Sequence, residues 1–234
     1  MITSRLCRSI MLGLFVASST SCTETHKTDS ELLQTLILRA KKYGFRRFYI
    51  SVNFMAEKIE EHIANEIYKG LDIKLIYEDK PLGTAGSLSL VPDEITDPIV
   101  VCNGDIITTM PFDRLLEHHK EMKNDATAVV RPMQVMIPYG VVELVNERIT
   151  SIVEKPEKTY LINSGMYVID PKILRLLKKN EKCDMPELIE HAIQMKYSVG
   201  ACFMHEYWAD IGGPEDYRKA HQSFESNFNK GELV

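Results

Sequence analysis

Strand-like and helix-like segments alternate between residues 32 and 122, and this alternation constrains the fold more than any other feature of the sequence. Apolar residues recur at helical spacing from Leu32 to Ala40, and Gly44 stands where a helix end favours a left-handed residue. The segments that follow are typical of a strand, a helix and two further strands: "RFYISVN", "AEKIEEHIANEIYKG", "IKLIYE" and "PIVVCNGD". This spacing predicts a mostly parallel sheet that is covered by helices.

The pattern changes after the helical stretch "PFDRLLEHHKEM". Strand candidates then dominate: "ATAVVRP", "YGVVELVN", "RITSIVEKP", "SGMYVID" and "VGACFMHEY". Helical stretches return at "PKILRLLKKN", at "MPELIEHAIQM" and from Pro214 onward. We therefore predict an α/β fold with a Rossmann-like mixed, mostly parallel sheet flanked by helices, in one domain over residues 32–234.

The composition of the 234-residue chain excludes several functional classes. Hydrophobic residues make up 44% and charged residues 26%, which is typical of a soluble globular domain. The net charge of −5 gives no electrostatic basis for nucleic-acid binding. Cys102, Cys183 and Cys202 are predicted to be reduced, partly buried thiols of a cytoplasmic protein. The pair His118 and His119 is expected on a solvated helix surface rather than at a metal.

Residues 1–31 differ in character from the domain that follows. Arg5 and Arg8 precede an apolar run from Ile10 to Ala17, and small residues lead from that run to Cys22. These parts are typical of a secretory signal, and a cysteine at the exit is typical of a lipoprotein, so export is an alternative to a cytoplasmic location. The run is too short to span a bilayer. The other interpretation is that the segment is foreign to the domain, through a truncated or shifted reading frame.

Polar residues follow two of the predicted strands at their carboxyl ends, where open parallel sheets bind ligands. Asn103, Gly104 and Asp105 follow one apolar strand, and Asp210 follows another in "YWADIGGPEDY". A lone Asp at such a place is usually a helix cap or a turn former. Two carboxylates from distant strand ends suit Mg²⁺, which takes one or two protein oxygens together with phosphate and water. The sequence therefore predicts a Mg²⁺ site for a nucleoside triphosphate at the two aspartates.

The loop "EDKPLGTAGSL" lies between a predicted strand and a predicted helix. Gly83 and Gly86 would let the backbone approach a ligand closely, and Thr84 adds a hydroxyl beside exposed amides. This pattern indicates either a ligand-binding loop or a plain strand-to-helix connection with convenient glycines.

A second polar group lies between the two aspartates in the sequence. In "VEKP", Lys155 would meet a phosphate and Glu154 would accept hydrogen bonds from sugar hydroxyls, or the pair is an ordinary exposed strand end. The stretch "NSGMYV" adds an amide side chain at Asn163 and an open backbone at Gly165.

Six motifs in this order resemble the sugar-phosphate nucleotidyltransferase family: "PLGTAGSL", "CNGD", "PYGVVEL", "VEKP", "NSGMYV" and "EYWADIGGPEDY". The likeness runs from about Leu32 to about Ala220, and its motifs are most similar to those of mannose-1-phosphate guanylyltransferase-like enzymes. The resemblance implies a GT-A-like nucleotidyltransferase fold. It also implies transfer of a nucleotidyl group from a nucleoside triphosphate to a sugar-1-phosphate, with release of pyrophosphate, in nucleotide sugar and polysaccharide biosynthesis.

The resemblance also implies roles for individual residues. Those implied for nucleotide binding are Leu82, Gly83, Thr84, Gly86, Asn103 and Gly104. Those implied for sugar binding are Tyr139, Gly140, Glu154, Asn163 and Gly165. The implied catalytic residues are Asp105 and Asp210, which would hold Mg²⁺, and Lys155, which would contact the sugar phosphate. The implied partners are the two substrates, with no nucleic acid and no membrane for the domain, while self-association of identical chains is left open.

The start of the chain departs from the family pattern. Members open with a strand that runs into a glycine-rich, Arg-containing loop, and residues 1–31 contain no such loop. A single preorganised donor in a transition state is worth about 3 kcal/mol, so we expect slow turnover from the chain as written. The first strand is expected to be missing or replaced: either Ser9 to Ala17 occupies its position, or residues 1–31 are irregular and the domain is poorly soluble. The alternative function is a catalytically impaired fragment or pseudoenzyme that binds a sugar nucleotide or a protein partner.

Overall fold

Eleven strands are present in this computed structural model, which describes residues 11–15, 25–53 and 56–211, and the side chains of residues 11–15 and 25–31 lie outside the description. In chain order the strands are β1 Met11–Phe15, β2 Arg47–Val52, β3 Asp72–Tyr77, β4 Ile99–Asn103, β5 Ile106–Thr108, β6 Ala126–Met136, β7 Gly140–Val145, β8 Arg148–Glu154, β9 Glu157–Ile169, β10 Val199–Phe203 and β11 Trp208–Asp210. The predicted helix from Pro214, the signal-like exit and Cys22 lie outside the described residues.

Seven of these strands form one sheet in the order β10-β6-β9-β4-β1-β2-β3. The pairs β10/β6, β4/β1, β1/β2 and β2/β3 are parallel, and β9 is antiparallel to both of its neighbours. Two further sheets are two-stranded, β5 with β11 and β7 with β8. The predicted mixed, mostly parallel sheet is therefore confirmed.

Strand β1 lies inside the sheet, between β4 and β2 and parallel to both. Met11 is in register with Ile99 on one side and with Arg47 on the other. The first of the two expected outcomes for the chain start is therefore confirmed, because part of the apolar run occupies the central position. The division of the chain into a segment 1–31 and a domain 32–234 stays a prediction.

Helices cover the sheet and connect its strands. They are α1 Thr25–Lys42, α2 Ala56–Ile63, α3 Gly83–Gly86, α4 Phe112–Glu121, α5 Pro171–Leu174 and α6 Met185–Gln194.

Helices α2 and α5 are shorter than the sequence predicted. Helix α2 ends early because the side chain of Asn65 accepts from the Ile67 amide and caps a separate 3₁₀ turn. After α5 the amide of Leu177 bonds to the carbonyl of Leu174, so the chain continues in three-residue turns.

The core lies on both faces of the sheet. Val100 and Cys102 of β4 belong to one buried cluster and Val101 belongs to the other, because successive side chains of a strand point to opposite faces. Burial on both faces explains the continuous apolar run of this strand. The predicted reduced cysteines are confirmed among the described residues, and burial raises the pKa of the Cys102 and Cys202 thiols.

The expectation of a solvated histidine pair is wrong for His119, which is 2% exposed. Its Nδ1 lies 2.8 Å from the Thr127 hydroxyl, and its Nε2 lies 3.3 Å from Oδ1 of Asp170. The ring is buried because both of its nitrogens have partners inside the fold. His118 is half-buried, with Nε2 at 3.1 Å from the carbonyl oxygen of Ala201.

Residues 132–161, which we name the β-arm, are mostly exposed. The arm consists of the second half of β6, the hairpin β7–β8 and the first half of β9. Its exposed large apolar side chains are Met133, Val135, Met136, Ile137, Tyr139, Val142, Leu144, Val145, Ile149, Ile152, Val153, Tyr160 and Leu161. The arm is therefore held by strand pairing rather than by a core of its own.

Among the residues that the structure describes, no helix is both long enough and apolar enough to cross a membrane.

Candidate active site

The two aspartates that were predicted to bind Mg²⁺ lie at one end of the strand pair β5/β11, Asp105 in the turn just before β5 and Asp210 at the end of β11. Buried Gly104 connects the end of β4 to Asp105, and Asp210 ends β11 opposite Ile106 of β5. The amide of Ile211 donates to the carbonyl oxygen of Asp105 at 2.8 Å. Asp210 is exposed, and Asp105 is half-buried with its Oδ1 inaccessible to solvent. Residues that are distant in the sequence thus meet as the metal prediction requires, while metal binding itself stays a prediction.

Three more predicted residues form a cluster next to this pair. Gly165 has φ of +75°, and a Cβ there would lie 2.8 Å from Nδ2 of Asn103. Oδ1 of Asn163 accepts from the Gly165 amide at 3.1 Å, and its Nδ2 donates to the Tyr167 hydroxyl. Burial raises the pKa of that hydroxyl, so the group is a neutral hydrogen-bonding partner. The cluster is a rigid polar surface at the end of β4, and its role toward nucleotide or sugar stays a prediction.

The loop that was predicted to hold the nucleotide packs on the segment before α6. The amides of Ala85 and Gly86 donate to the carbonyl oxygen of Cys183 at 3.0 and 2.9 Å. The amide of Thr84 donates to Oδ1 of Asp184 at 3.0 Å. The expectation that these amides are exposed is therefore wrong, because a segment distant in the sequence provides their acceptors.

The glycines of this loop allow the close packing. A Cβ at Gly83, where φ is +77°, would lie 2.7 Å from the carbonyl oxygen of Cys183. A Cβ at Gly86 would lie 2.5 Å from the carbonyl oxygen of Glu181. Leu82 is buried in the same loop. Internal packing therefore accounts for both glycines, and nucleotide binding by Leu82, Gly83, Thr84 and Gly86 stays a prediction.

The predicted sugar-side residues of the β-arm form a separate, exposed group. Tyr139 is 73% exposed, and its carbonyl oxygen accepts from the amide of Lys155 at 3.2 Å. Gly140 pairs with Glu154 across the hairpin, and a Cβ at Gly140 would lie 3.1 Å from Oε2 of that glutamate. Lys155 itself has φ of 46°, an uncommon conformation for a residue with a side chain. The structure thus brings these four residues together at one end of the hairpin.

Sequence reasoning missed three residues that connect the site to the main sheet. Arg131 is half-buried, with its guanidinium 5.2 Å from the ring centroid of Trp208. Nε1 of Trp208 donates to the carbonyl oxygen of Ser164 at 2.8 Å. The signals were a charged residue inside the apolar stretch "ATAVVRP" and the lone Trp of the chain.

The donor set for a metal consists of two carboxylates. Among the described residues, no three His, Cys, Asp or Glu side chains are grouped so that they could hold a metal ion by themselves. Mg²⁺ keeps several waters and takes phosphate oxygens alongside one or two carboxylates. Asp105 and Asp210 are the residues that would hold it with a triphosphate, and this assignment stays a prediction.

A known protein family matches the part of the chain that contains this site. The pattern of the nucleotidyl transferase family matches residues 22–227, which include both aspartates and all the other predicted site residues. The chain belongs to this family. The family membership that was predicted from six motifs is thereby confirmed.

Relatives within the nucleotidyl transferase family are sugar-phosphate nucleotidyltransferases. The chain is 35% identical over 188 residues to the mannose-1-phosphate guanylyltransferase catalytic subunit beta of Danio rerio, a match that covers 75% of this chain and 51% of that protein. It is 30% identical over 187 residues to probable mannose-1-phosphate guanylyltransferase 1 of Oryza sativa, with 76% and 51% covered. The chain thus spans about half the length of the curated relatives it matches.

Solved structures show the same fold. A putative glucose-1-phosphate thymidylyltransferase from Bacillus anthracis, in complex with a sucrose, superposes with a TM-score of 0.70 at 19% identity, covering 95% of this chain and 98% of that one. HddC from Yersinia pseudotuberculosis, complexed with GMP-PN, superposes with a TM-score of 0.67 at 22% identity, covering 92% and 100%. At these identities the likeness concerns the fold alone, and it confirms the predicted nucleotidyltransferase fold.

Proposed function

We propose that the chain transfers a nucleotidyl group from a nucleoside triphosphate to a sugar-1-phosphate. One observation carries the proposal: the fold joins Asp105 and Asp210, from distant parts of the sequence, through the Ile211–Asp105 hydrogen bond of 2.8 Å. The similarity to guanylyltransferases makes GTP and mannose-1-phosphate the first pair to test.

The reaction needs positioning more than covalent chemistry. A phosphate oxygen of the sugar-1-phosphate attacks the α-phosphorus, the bond from that phosphorus to the bridging oxygen breaks, and pyrophosphate leaves. Asp105 and Asp210 would hold Mg²⁺, which when bound supplies charge neutralisation at the phosphates. Lys155 would bind the sugar phosphate as a point charge, and Glu154 would accept hydrogen bonds from sugar hydroxyls.

The metal site is tested by Asp105→Asn and Asp210→Asn. Each change should lower pyrophosphate release from GTP and mannose-1-phosphate by at least about 100-fold, because one carboxylate charge on the metal is lost. Melting temperatures should change little. Asp93→Asn, at an exposed position away from the pair, is the matched control and should keep full turnover. Full turnover in both site variants would show that the site has been assigned wrongly.

The sugar side is tested by Glu154→Gln and Lys155→Met. Both changes should raise the KM for sugar-1-phosphate far more than the KM for the nucleotide, because both residues are placed against the acceptor. Lys158→Met removes another exposed charge from the β-arm and should leave both values unchanged. If Glu154→Gln raised the KM for both substrates equally, the assignment of Glu154 to the sugar pocket would be wrong.

A second candidate is a catalytically impaired member that binds a sugar nucleotide or a protein partner. It is supported by residues 1–31, which contain one glycine and no glycine-rich, Arg-containing loop. Binding of GDP-mannose without measurable pyrophosphate release would favour this candidate. Turnover at about 1 per second or faster would exclude it, since this is an ordinary enzymatic rate. A cytoplasmic location, self-association and a role in polysaccharide biosynthesis belong to the proposal and are not needed for these tests.

A further inference from the structure

Asp210 lies on β11, a short strand whose backbone, among the described residues, pairs only with β5. It has three residues and pairs with β5, and neither strand belongs to the seven-stranded sheet. Backbone pairing alone sets the register of Asp210 against Ile106. The backbone also ties the end of β11 to Asp105 through the amide of Ile211, and side-chain contacts add a direct link from β11 to the main sheet.

Two side chains supply those contacts. Nη1 of Arg131 donates to the carbonyl oxygen of Trp208 at 3.1 Å, and the same guanidinium lies over the indole ring at 5.2 Å. Nε1 of Trp208 donates to the carbonyl oxygen of Ser164 at 2.8 Å. Arg131 stands on β6 and Ser164 on β9, so Trp208 is held from two neighbouring strands of the main sheet. Trp208 and Asp210 also share one face of β11, because they are two residues apart.

The part of β9 that receives Trp208 is itself rigid. The pairing of β6 with β9 shifts register between Ala128 and Val130, which leaves Val129 at an irregular position. The hydroxyl of Ser164 donates to the carbonyl oxygen of Val129 at 3.0 Å, and Ser164 is 1% exposed. The acceptor for the indole is therefore anchored in the buried part of the sheet.

Gly165, the residue after Ser164 in β9, packs against the end of β4, which leads to Asp105. A Cβ at Gly165 would lie 2.8 Å from the side-chain nitrogen Nδ2 of Asn103, the last residue of β4. Asp105 follows after Gly104. Ser164 thus contacts β11, which ends at Asp210, and Gly165 contacts the end of β4, which leads to Asp105.

We propose that Arg131 and Trp208 are positioning residues that set Asp210 at the distance from Asp105 that a shared metal requires. The inference rests on the proposed function, because it assumes that the two carboxylates act on one metal. We name the contacts of Trp208 with Arg131 and Ser164 the Trp208 latch. A displacement of about 1 Å in a metal site is enough to impair it, so loss of the latch should lower the metal affinity.

The experiment uses Mn²⁺ as the metal probe and GTP as the nucleotide, and it compares Arg131→Met, Arg131→Lys and Trp208→Phe with the unchanged chain. Arg175→Met, an exposed cation after α5, is the control for loss of one positive charge. Electron paramagnetic resonance gives the Mn²⁺ affinity without any need for turnover. Trp208 is the single Trp of the chain, so its fluorescence emission reports directly on the latch.

We expect Arg131→Met to shift the Trp208 emission to longer wavelength and to weaken Mn²⁺ binding about tenfold. Arg131→Lys should have a smaller effect, because Lys keeps the charge but lacks the planar fork of donors. Trp208→Phe keeps an aromatic ring, loses the bond to Ser164 and should weaken Mn²⁺ binding about threefold. Arg175→Met should match the unchanged chain in both measurements.

The inference is overturned if Arg131→Met shifts the emission while Mn²⁺ affinity stays at the unchanged value, since the latch would then open without moving the site. Should Arg131→Met fail to melt cooperatively, Arg131→Lys decides by the same comparison, and Trp208→Phe, which has no Trp emission, decides by its Mn²⁺ affinity alone: an affinity equal to that of the unchanged chain overturns the inference. A failure of the proposed function has a different signature. In that case Asp105→Asn and Asp210→Asn bind Mn²⁺ as the unchanged chain does, or the unchanged chain binds none in the presence of GTP, and the inference falls with it.

Discussion

Strands β6 and β9 are buried at one end and exposed at the other. From Ala126 to Val130, and from Ser164 to Ile169, most residues are inaccessible to solvent, whereas the paired residues Pro132–Met136 and Glu157–Leu161 are exposed. The hydrogen-bonded pairing continues through both halves. Strand pairing alone therefore does not create a core, and the neighbours of the two strands decide which half is buried.

The two halves also serve different parts of the site. The buried half contains Ser164 and Gly165, which connect to the strands of the two aspartates. The exposed half leads into the hairpin with Glu154 and Lys155, the predicted sugar-side residues. The metal site would thus be built beside the buried part of the two strands, and the acceptor side on their exposed part.

Paired truncations of methionine should give the largest contrast between the halves. Met166 of β9 is fully buried, and Met133 of β6 is 48% exposed. Met166→Ala should lower the free energy of unfolding by about 2 to 5 kcal/mol, because it leaves a cavity, and Met133→Ala should change it by less than about 0.5 kcal/mol. Urea denaturation measures both. Similar losses in the two variants would show that the β-arm is packed in solution.

A paired glycine substitution should give a smaller contrast. Gly165→Ala should cost about 2 kcal/mol, because a side chain is strained at φ of +75° and its Cβ would meet Asn103. Gly140→Ala should be nearly neutral, since its Cβ would meet the flexible end of Glu154 and lie at an ordinary contact distance of 3.7 Å from Cγ2 of Ile152. Thermal melting compares the two. Equal melting temperatures for these variants would remove the distinction between the rigid and the exposed half.

The smallest effect concerns the pH dependence of stability in the buried half. Burial lowers the pKa of His119, although the Asp170 carboxylate partly opposes this. The unfolded chain therefore takes up the proton more readily, so the stability that neutral His119 contributes is present above the unfolded pKa of about 6.5 and is lost as pH falls below it.

His119→Gln should accordingly reduce the fall in melting temperature between about pH 7.5 and pH 5.5 by a few degrees. His205→Gln, at an exposed position, is the control and should keep the fall seen in the unchanged chain. An identical fall in His119→Gln and in the unchanged chain would contradict the assignment.

Local patterns predicted the sheet because apolar runs such as that of β4 contain their own evidence of burial. The meeting of Asp105 and Asp210 was predicted from their places after strands, but the structure brings them together through the antiparallel pair β5/β11, which no sequence pattern had indicated. The same reasoning identified the apolar run that supplies β1.

Features that depend on distant partners were not predictable. The amides of residues 84–86 have their acceptors at Cys183 and Asp184, and a loop sequence contains no sign of them. Burial of His119 depends on partners distant in the sequence from α4: Thr127 of β6 and Asp170, which precedes α5. The exposure of the β-arm could not be predicted, because apolar residues such as Leu144 and Ile149 are also typical of an ordinary half-buried strand.

The central position of β1 has a consequence for the way the chain reaches its structure. Residues 11–15 are synthesised well before residues 99–103, their parallel partners in β4. This interior strand of the sheet cannot complete its pairing until residues 99–103 have been synthesised, and pairing between residues so distant in the sequence slows folding. Until then its backbone groups depend on β2 or on water. Chaperone demand and losses to aggregation during expression should therefore concentrate in nascent chains that end before residue 103.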